Sequence, residues 1–243
     1  MPSLLLYLQT FRFMKLVTVI FLVLFTPLYM QSQTYEIGGF LGMANYIGDI
    51  GKTRFIAPKT PVFGGLFKWN RSPRHSFRGT ILFGQIEGDD SNSKDPRRNE
   101  RGYKFENSLI ELSVGLEYTF WDFTMHSGQP AHTPYLFTGL TYFRYNSLVK
   151  RSDDIIIEDG KAGSMAIPMV IGYKSTLGTK FVIAAEIGAR YTFTDNLDGS
   201  NPNKIRENQD GSSFGDINNN DWYVFTGITL SYTFGRKPCY CDF

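Results

Sequence analysis

The chain has 243 residues, with 25 Lys and Arg against 23 Asp and Glu, and it is rich in Phe (21), Tyr (14) and Gly (24). That length admits one large domain or two small ones, the near-balanced charge gives no case for a nucleic-acid partner, and the aromatic and glycine content favours strands over helices. The only cysteines, Cys239 and Cys241, sit together near the C-terminus, which excludes a disulfide framework within a domain.

Residues 1–32 read as a secretory signal. Lys15 follows Met14, Leu16 to Phe25 form an apolar run of h-region length, and Pro27 to Gln33 supply a breaker and a polar exit, with cleavage expected after Ser32. The apolar residues before Met14 leave two alternatives, a start at Met14 or an uncleaved anchor, since a spanning helix needs roughly 20 apolar residues. No later segment has that length. Loss of residues 1–32 removes Arg12 and Lys15 and no acid, leaving 23 bases against 23 acids.

From residue 33 to residue 235 the pattern is one of strands. The first is expected over 35–47, the second over 61–69 with Phe63, Gly65, Phe67 and Trp69 on one side, and the third over about 76–87 with Phe77, Ile81 and Phe83 on one face. In the fourth, Ile110, Leu112, Val114, Leu116, Tyr118 and Phe120 alternate with Glu111, Ser113, Gly115, Glu117 and Thr119. The fifth, 134–148, is aromatic on both faces, so its register stays open; the sixth, 165–174, carries Pro168, which cannot donate to a ladder and suggests a bulge. The seventh, 181–194, sets Ile183, Ile187 and Tyr191 against Glu186 and Arg190. The last, 222–235 (WYVFTGITLSYTFG), sets Trp222, Val224, Thr226, Ile228, Leu230, Tyr232 and Phe234 against Tyr223, Phe225, Gly227, Thr229, Ser231, Thr233 and Gly235 with a period of two.

Eight strands with apolar outward faces and aromatics at their ends predict an all-β fold, an eight-stranded antiparallel transmembrane β-barrel of the outer-membrane type, surrounded by lipid. The connections agree. Residues 48–60, 88–105, 149–164 and 195–221 are long and polar, whereas 70–75 and 175–180 are tight, the asymmetry expected of extracellular loops and periplasmic turns. The turn 121–133 (WDFTMHSGQPAHT) is long for its side. Charged side chains facing hydrocarbon are costly, so Glu111, Glu117, Glu186 and Arg190 are expected inside, in a buried ion-paired network that fills a narrow barrel.

Candidate chemistry is sparse. His75, His126 and His132 all fall in the short-turn regions, and His126 and His132 alone are a weak zinc signal. The acidic run Asp153, Asp154, Glu158 and Asp159 and the Asn- and Asp-rich stretch 195–221 offer oxygen ligands for Ca²⁺, but without an EF-hand spacing they read first as solvated loops. The cluster Lys94, Arg97, Arg98, Arg101 and Lys104 could meet lipopolysaccharide phosphates or a partner's acids. After the last strand comes a tail, 236–243 (RKPCYCDF), expected on the periplasmic side. Its cysteines are too close in sequence for an unstrained mutual bridge; an intermolecular bond, a strained local disulfide and free thiols are the alternatives.

Four stretches together, YEIGGFLGMANYIGDIGKTRFI (35–56), FKWNRSPRHSFR (67–78), DPRRNERGYKFENSLIELSVGLEYTFWDF (95–123) and GARYTFTDNLDGSNP (188–202), resemble the PorG-like family of outer-membrane barrels of the type IX secretion system. The resemblance implies a non-enzymatic barrel, without cofactor or small-molecule substrate, that anchors or positions a periplasmic ring of lipoprotein and partner subunit of the PorK and PorN type. On that reading the partner contacts are Trp121, Asp122, His126 and His132 of the long turn and Cys239, Tyr240 and Cys241 of the tail. A general surface barrel or adhesin working through loops 88–105 and 195–221 is the alternative. A barrel enzyme, a third reading, would need His on the opposite rim.

Overall fold

A computed structural model describes residues 34–52, 54–125, 129–151, 155–201, 214–216 and 219–235. The expected signal segment, the tail with Cys239, Tyr240 and Cys241, and His126 lie outside the described residues.

Eight strands, β1 (Thr34–Ile47), β2 (Thr60–Asn70), β3 (His75–Asp89), β4 (Lys104–Thr119), β5 (His132–Lys150), β6 (Ile156–Leu177), β7 (Phe181–Thr192) and β8 (Trp222–Gly235), pair in sequence order, each antiparallel to the next. β8 returns to β1, from Thr34 opposite Gly235 to Ile47 opposite Trp222, and closes the sheet into a barrel. Closure gives every strand two hydrogen-bonded neighbours, so no sheet edge is left to face lipid.

Alternation sorts the side chains. Leu41 (72% exposed), Leu112, Val114, Ile171, Ile228 and Leu230 point outward, while the residues between them are buried. An apolar outer belt of this extent on a barrel fits a hydrocarbon surround and would be a liability in water. Val224 lies on the outward face of β8 yet is only 2% exposed. Its neighbour across the ladder, outward-facing Asn45, donates through Nδ2 to the carbonyls of Arg54 and Phe55, so the β1–β2 loop folds down over the outside of the barrel there.

The register of β5 resolves cleanly: Tyr135, Phe137, Thr141, Phe143 and Tyr145 face inward, and Leu136, Leu140 and Tyr142 face outward. Two expectations are corrected. The connection expected over 149–164 shrinks to residues 151–155, because β6 begins at Ile156, and the β5–β6 hairpin continues beyond the neighbouring strands. The bulge is not at Pro168. Thr138 opposite Met169 and Thr141 opposite Ala166 keep one register past the proline, and the shift falls between Asn146 and Leu148. The ladder tolerates Pro168 by omitting pairing locally rather than by inserting a residue.

A narrow barrel must coil its strands hard, and glycine permits it. Gly115 and Gly139 sit opposite each other on β4 and β5. A Cβ on Gly139 would lie 2.1 Å from the Val114 carbonyl oxygen, and one on Gly115 would lie 2.1 Å from that of Thr138. Gly139→Val is therefore expected to lower barrel stability by about 1–3 kcal/mol or more, the usual cost of overpacking. Urea unfolding in detergent, followed by the gel mobility of folded and unfolded barrel, reads this directly; an unchanged midpoint would refute the close approach.

Candidate functional site

The barrel interior is the first place where charged side chains converge. Strand alternation puts Glu36, Lys68, Arg78, Glu111, Glu117, Lys174, Glu186 and Arg190 inside, all buried. Four acids meet four bases. Towards the short-turn end, Glu117 takes Lys174 Nζ at 2.7 Å on Oε1 and Lys68 Nζ at 2.7 Å on Oε2. Arg78 crosses the lumen to grip Glu186 with two parallel bonds of 2.7 and 2.8 Å, and the Tyr135 hydroxyl donates to the same carboxylate. Glu36 accepts from Asn70 Nδ2 at 2.9 Å and Ser231 Oγ at 2.6 Å. Higher up, Arg190 donates to both oxygens of Glu111 (3.1 and 3.2 Å), which also receives Tyr223 and Ser113 hydroxyls at 2.9 Å.

Rings complete the packing. Arg78 lies 5.0 Å from the centre of the Phe137 ring, Arg190 4.4 Å from that of Phe225, and Lys174 4.6 Å from that of Phe123, a residue of the long turn that folds into the barrel's lower opening. Above the ions the interior turns apolar, with Phe40, Leu82, Ile86, Leu109, Phe143 and Leu197 in one cluster. Glu36, Lys68, Arg78 and Lys174 belong to the network although only Glu111, Glu117, Glu186 and Arg190 were singled out from sequence. Each of the four sits one residue from an outward aromatic (Tyr35, Phe67, Phe77, Tyr173), and that parity was the signal for them.

Loops close the opposite mouth. After β3 come a 3-10 turn (Asp90–Asn92) and a short helix, α1 (Pro96–Arg101), capped by Asp95 and stopped at left-handed Gly102. Arg98 donates to the carbonyls of Gly48 and Gly51, Arg101 pairs with Asp90 at 2.8 Å, and Lys104 with Asp89 at 3.0 Å. Most of the expected basic cluster thus holds loops together instead of facing outward. Leu197, from the β7–β8 connection, is inserted into the mouth, its carbonyl accepting from Asn107 Nδ2 at 2.8 Å.

At the short-turn rim, His132 stacks on Tyr173 with ring centres 6.1 Å apart and meets exposed Trp121 edge-on at 6.2 Å. Asp122 pairs with Arg74 in solvent. His75 Nδ1 lies 3.2 Å from Ser72 Oγ, with its ring beside Tyr118. His75 and His132 start different strands, and no metal-binding group of three His, Cys, Asp or Glu forms among the described residues.

Acids crowd the mouth. Burial, then the charge of Asp49, raises Asp195 from 3.8 to about 6. Burial also raises Asp198, and burial with the nearby Asp198 charge raises Asp221.

Glu117→Gln strands two buried ammonium groups and should cost about 3–5 kcal/mol, while the exposed change Asp122→Asn leaves the urea midpoint where it was; equal midpoints for both variants would deny the lumen its stabilising role. A carboxyl whose folded value exceeds its unfolded one holds its proton more tightly when folded. Its contribution is fully present below the unfolded value and lost as pH rises through about 6 for Asp195. In buffer free of divalent ions, the unfolding midpoint should therefore climb as pH is lowered from about 7 to about 5, and Asp195→Asn should flatten that slope.

No curated protein sequence matches. Ail, the attachment invasion locus protein of Yersinia pestis, is 8% identical with a TM-score of 0.46, covering 84% of this chain and all of its own. Neisserial surface protein A is 11% identical with a TM-score of 0.46, over 82% of this chain and 97% of that one. The N-terminal β-barrel domain of Pseudomonas aeruginosa OprF is 14% identical with a TM-score of 0.42, over 84% and 98%. A family model described as a domain of unknown function, DUF6089, matches residues 14–243, and the chain belongs to that family.

Proposed function

We propose that this protein is a non-enzymatic outer-membrane barrel that anchors or positions the periplasmic ring of the type IX secretion system. The observation that carries the reading is the filled interior. A lumen packed with paired charges at one level and aromatic and aliphatic side chains at the next offers no path for a folded cargo, so the barrel acts through its rims.

The short-turn rim supplies the features such an anchor needs. It holds the start of β1 and the end of β8 at Gly235, and it holds the one long turn on that side, with Trp121 exposed beside His132. Confinement to a membrane raises the effective concentration of a partner, so a few aromatic contacts or a cysteine bond are enough to hold it. The resemblance to PorG-like barrels names that partner as a lipoprotein ring of the PorK and PorN type.

A second reading, a surface barrel or adhesin, is favoured by the order of the opposite mouth. There Arg101 lies over Tyr103 and Phe214 and Lys150 over Tyr103, making the loops a packed platform. Cross-linking mass spectrometry on outer membranes isolated without reductant separates the two. Links from residues 121–133 and 236–243 to a periplasmic lipoprotein are expected, and deletion of 236–243 should release that partner from a barrel that still folds. Links only from residues 88–105 and 195–221 to surface proteins would replace the anchor by the adhesin.

A further inference from the structure

In the lumen Glu111, Glu117 and Glu186 each pair with a base and Glu36 is held by Asn70 and Ser231, and at the mouth Asp90 pairs with Arg101, but two further buried acids of the mouth have no such partner. Asp198 and Asp221 are 0% and 1% exposed, as buried as the lumenal glutamates, yet neither makes an ion pair with Lys or Arg among the described residues. Asp195 and the buried Asn196 lie on the same inserted turn as Asp198.

The hydrogen-bond donors around these groups are too few. Asp221 accepts from the Tyr46 hydroxyl and, at 2.9 Å, from Leu197 N–H. Asp198 accepts from Ser200 N–H at 2.9 Å through Oδ1, and Asp195 meets only Asn201 Nδ2, at 3.4 Å. Tyr46 also faces Asp198, but its hydroxyl has one proton and cannot serve both carboxylates. Asp198 Oδ2, Asn196 Oδ1 and Asp195 Oδ1 are buried with no donor among the described residues. Leaving such oxygens unsatisfied is costly, and charged ones most of all. What they lack is a positive centre.

We propose that the 195–200 turn, together with Asp221, is a binding site for a hard divalent cation, Ca²⁺, which fixes that turn in the barrel mouth. The chemistry selects the ion. Every available ligand is oxygen, carboxylate or amide, with no thiolate or imidazole to favour zinc. Among the described residues no three acidic side chains converge on one point, so the proposed site draws its remaining ligands from an amide oxygen and solvent, a mixed and flexible set that calcium accepts and magnesium, with its strict octahedron, does not. Gly199, at φ 83°, turns the chain back so that Ser200 Oγ donates to the Asp195 carbonyl at 2.9 Å.

The test uses the full-length protein in detergent, stripped with EGTA and titrated with CaCl₂. Calorimetry should record saturable binding with a dissociation constant of about 0.1–1 mM, the range of extracellular calcium modules, and the unfolding midpoint should rise with occupancy. MgCl₂ at the same concentrations should stabilise less. Asp198→Asn and Asp195→Asn should each weaken binding about tenfold or more, whereas Asp122→Asn at the opposite rim leaves it unchanged. Absence of saturable binding up to about 10 mM would overturn the site. So would equal binding by wild type and Asp195→Asn, or stabilisation by lowered pH but not by calcium, which would mean that shared protons satisfy these oxygens. Should Asp198→Asn fail to fold, the wild-type titration and Asp195→Asn decide the matter.

Discussion

Closure is the constraint on which the structure depends. In hydrocarbon no water can satisfy a stray amide, so eight strands must each find two neighbours, and the pairing of β1 with β8 is what completes the set. Eight is a small number. It leaves an interior about as wide as the side chains that line it, and everything inside must then be packed and electrically neutral. The glycines that face each other on β4 and β5 serve the same end, since only without a Cβ do those strands approach as closely as the curvature requires.

Neutrality is reached by tiers. Four acids and four bases occupy the lower and middle lumen, arranged so that the pairs reach across it: Arg78 on β3 to Glu186 on β7, Arg190 on β7 to Glu111 on β4, Lys68 on β2 and Lys174 on β6 to Glu117 on β4. Such bonds tie non-adjacent strands together, which the backbone ladder cannot do. Above them an apolar tier continues into the loops. The outer belt gains nothing from water exclusion once it is in lipid, so specificity of the fold falls to the ladder and to this interior. Removing one member of a buried pair is then far worse than never having had the pair.

How much of this was legible in the sequence follows from where a period of two applies. β8 could be read to its bounds, because Ile228 to Phe234 alternate strictly, although WYVF at its start is apolar on both faces and Val224 is covered. β6 was read short by nine residues at its start, since IIEDGKAGS is polar and glycine-rich; it is a strand because β5 beside it is long, and a hairpin that rises clear of the membrane needs no apolar face. Lys68 and Arg78 were within reach of the same rule, one step from outward Phe67 and Phe77, but an isolated base among aromatics draws less notice than a run of acids. Which acid takes which base was not legible. That depends on the stagger of the strands around the barrel, and no local pattern encodes it. The burial of Leu197 and Asp198 was hidden for the opposite reason: DNLDGSN has the composition of a solvated turn, and only the open mouth beneath it gives Leu197 somewhere to go.

The contrast between lumen and mouth follows from access. At membrane depth no ion from solution can arrive, so the lumenal carboxylates are answered from within the chain, Glu111, Glu117 and Glu186 by Lys and Arg and Glu36 by Asn70 and Ser231. At the mouth the loops stand at the aqueous surface. Carboxylates there can be buried against Tyr46 and the Leu197 amide without a base beside them, because solution can supply what the chain omits. A base built in at this point would hold the 195–200 turn down under all conditions. Acids alone make its seating depend on what the surrounding medium contains, and that is the one part of the barrel where such dependence leaves the membrane-spanning strands undisturbed.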